Sequence, residues 1–359
     1  MNKTLLAATA VIATVASFFM STTLASPSNP LRRISTIAIP GNALKSFDIS
    51  AFSVDQAIDG FSDRSNHAVD LIDATHGRYI GRIAGFHKGG PNGLVAVGSQ
   101  QFWAGDGGSM LQVLDLPSRK IVATIATGGT QRVDELAYDL RDHVVIAANN
   151  DDNPPFISFV SSESGHSIQG KLTFPQATDG LEQPVWNPVD GLVYLSIPVL
   201  DHRKADGGIA IIDPRTHQLV DTIHVQQCMP AGMALGPDDQ LLVGCSDDAV
   251  AAGFTPRSLI VDLHARKVIS QIRQVGGSDE VWFDGHSDCY YLAAVANTDG
   301  PVLGVVDATH GVWLRNLPSG KGAHSVAADP RTGQVFVPVA ADASDKGCMR
   351  GCVKVFGRK

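Results

Sequence analysis

Phe47, Asn92, Asp134, Glu182, Ala231, Asp279 and His324 recur along the chain at gaps of 45, 42, 48, 49, 48 and 45 residues. Four of the seven are ionisable, a fifth is an amide, and Asp48, Glu135 and Glu280 directly follow three of them. Carboxylates brought to a small radius repel one another unless a cation or a proton is shared. A hard divalent ion with oxygen ligands resolves that repulsion. The sequence therefore predicts Glu182, Asp279, Asp134 and Asn92 as ligands of a divalent metal, Ca²⁺ or a similar ion. His324 and Glu135 are the acid–base candidates beside it, imidazole because it titrates near neutral pH.

These residues can meet only if the chain brings distant segments to one place. The stretch 182–196 reads as a short strand, a polar turn at 187–191 and a returning strand, and the same pattern begins at each of the other positions. Each interval holds four short strands; in the third they are 136–138, 144–148, 156–160 and 171–174. Four strands in a repeat of this length are the signature of a propeller blade, and no interval has room for an amphipathic helix. The expected fold is all-β: a seven-bladed β-propeller with four antiparallel strands per blade. The last interval supplies only three strands, so the segment 33–39 is expected to complete that blade and close the ring, which leaves no long unpaired edge.

In such a meander the start of the first strand and the end of the second lie together at the mouth of the central channel. The loops between second and third strands drape the same mouth. They offer Arg64 and Arg203 for an anionic substrate, Asn149 as a polar contact, and His202 as a further acid–base group. His87 and His224, at the exits of fourth strands, are alternates.

Residues 1–25 have the form of a cleaved targeting segment: Lys3, an apolar run from Leu5 to Met20, and Thr23-Leu24-Ala25 as a small-residue cleavage site. The expected mature protein is a single domain, 26–359, periplasmic or secreted, monomeric, with no later membrane span. Without Lys3 it carries 27 basic and 36 acidic residues, which argues against nucleic acid as a partner. An oxidising compartment suits disulfides, and the sequence pairs Cys348 with Cys352 and Cys228 with Cys245. Cys289 remains as a buried thiol.

The repeats, including the near copies at 69–77 and 303–311, resemble the YVTN-type β-propeller family across nearly the whole mature chain. A second resemblance lies in short motifs. Glu182-Gln183-Pro184-Val185-Trp186 is similar to the Glu-Gly-Pro-x-Trp segment of the gluconolactonase (senescence-marker) family, whose Glu binds metal. Pro91-Asn92-Gly93 is similar to its Pro-Asn-Gly segment, and Asp279 stands where that family has a metal-binding Asp. The chain departs from it in Gln183, in the order of the motifs, and in having seven blades rather than six. This resemblance implies metal-assisted hydrolysis of a lactone or ester.

Three readings follow: a metal-dependent hydrolase acting on a small-molecule substrate, a non-catalytic propeller binding a protein or glycan partner, and a propeller subunit of a periplasmic redox enzyme. The sequence has no Gly-x-Ser-x-Gly elbow, no Cys-x-x-Cys-His haem site and no His-Glu-x-x-His zinc motif.

Overall fold

Short β-branched and aromatic runs separated by Gly, Asp and Pro turns favour strands joined by tight hairpins, and that is what the chain forms. The computed structural model describes residues 30–87 and 89–358; the expected targeting segment lies outside them. Seven four-stranded antiparallel sheets follow one another. They are blade 1 (residues 50–84), blade 2 (94–126), blade 3 (136–173), blade 4 (184–226), blade 5 (230–272), blade 6 (278–318) and blade 7 (327–357 with the N-terminal strand). The fold is a seven-bladed β-propeller. Helix among the described residues is confined to a turn at Pro237–Asp239 and five residues at Asp247–Ala251.

Burial follows position in the blade. The second and third strands are covered on both faces by neighbouring blades, so Val144–Asn149 is buried throughout. The fourth strand has one face to solvent, and Lys120–Ala126 alternates exposed and half-buried residues. The third and fourth strands slip register at one place in each of blades 1 to 6, for example between Val113 and Leu114 and between Val305 and Val306. Bulges of this kind increase the local twist.

Ring closure is as expected. Arg32–Ala38 pairs antiparallel with Cys352–Gly357, from Arg32 opposite Gly357 to Ala38 opposite Cys352. Ile37 and Ile39 enter a core shared with Phe47, Phe61 and Phe336. Both expected disulfides are present. Cys228–Cys245 spans a Cα separation of 4.5 Å and Cys348–Cys352 one of 4.9 Å. Cys289 is a buried free thiol. Among the described residues no helix is long and apolar enough to cross a membrane.

Candidate functional site

Asn92, Asp134 and Glu182 sit just ahead of the innermost strands of blades 2, 3 and 4, held by one repeated backbone contact. Asn92 N–H donates to Gly105 O (2.9 Å), Asp134 N–H to Ala148 O (2.7 Å) and Glu182 N–H to Ser196 O (3.0 Å). The shared register sends their side chains off at one depth. Two glycines set the spacing between blades. A Cβ on Gly93 would collide with the Asp134 carbonyl, and one on Gly232 with the Asp279 carbonyl. Only glycine allows so close a backbone approach. Gln183, where the resembling motif has glycine, instead accepts from Met233 N–H at 2.9 Å and ties blade 4 to blade 5.

The side chains converge at the channel mouth. Asp48, Arg64, Arg132, Asp134, Glu135, Glu182, Asp247, Asp248, Asp279 and His324 line one cavity of about 310 Å³. A space of about 190 Å³ adjoins it and shares Arg132, Glu182, Asp247, Asp248 and Asp279. Residues from all seven repeats, Arg132 standing for the second, thus face a common space. Asp48, Asp279 and His324 come closest, with one ligand atom from each lying within 4.8 Å of the others.

His324 is fixed by its surroundings. Its ring stacks on Phe47, centroids 4.5 Å apart. Nδ1 lies 2.7 Å from Gly322 O and Nε2 lies 3.1 Å from Phe47 O. A metal at Nε2 would displace only the Phe47 contact and leave Nδ1–H donating to Gly322, a common arrangement for a ligating histidine. Asp48 Oδ1 is 4.0 Å from Nε2, and Arg64 Nη2 pairs with Asp48 Oδ2.

Arg132 is central, and the sequence reading passed over it. Its Nη2 is 2.9 Å from Asp134 Oδ2 and its Nε 3.3 Å from Asp151. Arg132 lies two residues before Asp134, on the same side of an extended chain, which is the signal that would have found it. By contrast, the carboxylates of Glu135, Glu182 and Asp279 receive no hydrogen bond among the described residues, although Glu135 is only 5% exposed.

Burial dominates the electrostatics. It pushes Asp134 up to about 7, with Arg132 and Arg64 opposing and Asp48 reinforcing the rise. It pushes Asp279 up to about 6 against the pull of His324. Glu135 and Glu182 are raised well above the usual carboxylate range by burial first, then Glu135 by Asp134 and Glu182, and Glu182 by Asp134 and Asp279. Glu280, raised mainly by burial, accepts from Ser50 N–H, Ser325 Oγ–H and Val326 N–H and knits blades 6, 7 and 1 together.

Other expected site residues lie elsewhere. Asn92 does not open into the cavity: it is buried, its Oδ1 accepting from Arg64 Nε (2.9 Å) and its Nδ2 donating to Val133 O (3.1 Å). Asn149 is buried between Thr127, Ser109 and Asp152. Arg203 is 60% exposed and is held by Asp206 at 2.6 Å, away from the mouth. His202 does not line the mouth cavity; it lines a cleft of about 500 Å³ that shares Asn150, Asp151 and Asp179 with the smaller space beside the mouth. His87 and His224 pair with Asp106 and Asp206. Asn92, Asn149 and His87 are captured by partners across a blade seam, and His224 and Arg203 by Asp206 within blade 4.

No family model and no curated protein matches the chain. Among solved structures, a chain of a structure described as "Crystal Structure of Mitotic Checkpoint Complex" superposes with a TM-score of 0.68 at 14% identity, covering 97% of this chain and 98% of its own. A chain of hydrazine synthase from Kuenenia stuttgartiensis does so with a TM-score of 0.68 at 13% identity, covering 83% and 94%. At such identities the likeness is one of fold, and it agrees with the blades seen here: the chain is similar to other propellers.

Proposed function

We propose that the protein is an exported, metal-dependent hydrolase of the lactonase or esterase kind, acting at the channel mouth. The observation that carries this reading is the approach of Asp48, Asp279 and His324 within 4.8 Å beside carboxylates that receive no hydrogen bond. Two carboxylates and an imidazole suit a divalent ion, and the nitrogen donor favours Mn²⁺ or Zn²⁺ over Ca²⁺, whose sites are all oxygen. Such an ion supplies Lewis-acid polarisation and a more acidic bound water. Glu135 and Glu182 are the bases at hand, two carboxylates lining the same cavity whose oxygens receive no hydrogen bond among the described residues. Arg64 and Arg132 border the same cavity and are held there by Asp48 and Asp134. Export accords with the two disulfides.

The test is metal analysis of the purified protein together with turnover on a panel of lactones and esters. Chelator should abolish turnover, and Glu182→Gln should lower it by roughly 10²-fold or more. Full activity in chelator would end the proposal. The second reading, a scaffold for a protein or glycan partner, draws on one of the similar structures being that of a complex. A stable partner in a pull-down, with no turnover across the panel, would favour it.

A further inference from the structure

We propose that the cavity on the other side of the Arg64–Arg132 pair is an oxyanion subsite, so that the substrate carries a carboxylate or phosphate group. The word substrate rests on the hydrolase reading above; binding of the anion does not.

A space of about 330 Å³ opens there, lined by Arg64, Arg132, Gly108, Gln131 and Asp151 among others. Both arginines border this space and the acidic mouth at once. Arg64 directs Nε to Asn92 and Nη2 to Asp48. Arg132 directs Nε to Asn150 and Asp151 and Nη2 to Asp134. Among the described residues neither Nη1 donates a hydrogen bond, and the two side chains keep 24% and 33% of their exposure.

The acids on one side therefore hold the guanidinium planes in place while an edge of each remains for a ligand. A planar fork so oriented matches carboxylate and phosphate oxygens. Gly108 has nothing within 4 Å of where a Cβ would stand, which leaves the backbone open to close approach. Asp151, a carboxylate in this lining, is already paired with Arg132. The crowd of carboxylates bars an anion from the mouth itself, so it must enter from the glycine side. That fixes the polarity of the substrate: its oxyanion on the arginines, its reacting carbonyl toward Asp279 and His324.

The test is calorimetric titration of the wild-type protein with succinate and with inorganic phosphate. One of the two should bind, and which one does assigns the group. Gln131→Glu places a negative charge in the lining at an exposed side chain. Arg132→Lys keeps the charge and removes the fork. Each should weaken binding at least tenfold, Gln131→Glu with the melting temperature unchanged, whereas Arg203→Gln on the outer surface should not weaken it. Failure of both anions to bind wild type, or binding that survives both variants, overturns the subsite. Mn²⁺ uptake and ester hydrolysis are read separately. Uptake and hydrolysis without anion binding leave the hydrolase and remove the subsite; anion binding with neither leaves the subsite and removes the hydrolase.

Discussion

The imidazole of His324 lies against the ring of Phe47 at an interplanar angle of 14°. One residue precedes the last blade and the other the first, so this contact joins the two ends of the ring at the mouth. Nε2 lies 4.0 Å from Asp48 Oδ1, and Asp279 joins the same group. His324→Gln should keep the fold, judged by an unchanged denaturation midpoint, and lower Mn²⁺ or Zn²⁺ affinity by about 10–100-fold. Isothermal titration of the metal checks it, and unaltered affinity would remove His324 from the ligand set.

The N-terminal strand is the ring's closure, and its contribution can be measured. Ile37 is 6% exposed and packs in the core shared by blades 7 and 1. Ile37→Ala should cost about 2–5 kcal/mol in guanidinium unfolding. Deleting residues 30–39 should uncover the edge of Cys352–Gly357 and produce soluble oligomers or aggregate on size exclusion.

Between blades 7 and 1 the protein buries carboxylates that have little to hold their charge. Asp59 has neither oxygen hydrogen-bonded among the described residues, and burial raises it well above the usual range. Asp70, paired with Arg82 at 2.8 Å, is still pushed up to about 8, by burial first and then by Asp63. A carboxyl raised in the folded state holds its proton where the unfolded chain has lost it. For Asp70 that window runs from about 4 to about 8, and stability falls as pH rises through it. Asp59→Asn should flatten this decline and raise the melting temperature at pH 8 by about 2–4 °C. Differential scanning calorimetry from pH 5 to 8 decides it; an identical slope in wild type and variant would refute the assignment.

The disulfides differ in reach. Cys228–Cys245 closes a separation of 17 residues and Cys348–Cys352 one of 4. On loop-closure entropy the first should contribute about 3 kcal/mol and the second about 2. Cys228→Ala with Cys245→Ala should therefore lower the unfolding midpoint more than the corresponding pair at 348 and 352. The reverse order in denaturant titrations would show that blade closure depends chiefly on the short bridge.

Strand alternation, turn residues and the near-constant interval between Phe47 and His324 were enough to give seven blades, four strands in each, the borrowed N-terminal strand and both cysteine pairings. They also set the depth of Asp134 and Glu182, because a repeated register places equivalent residues at one level of the channel. Facing partners were another matter. Asp48 meets His324 because blade 7 abuts blade 1, Asn92 is drawn to Arg64, and Arg203 is held at the surface by Asp206. A strand's local pattern fixes where a side chain leaves the backbone. Which neighbour it touches depends on how blades pack and on which charge lies closest across the seam, and that only the assembled ring decides.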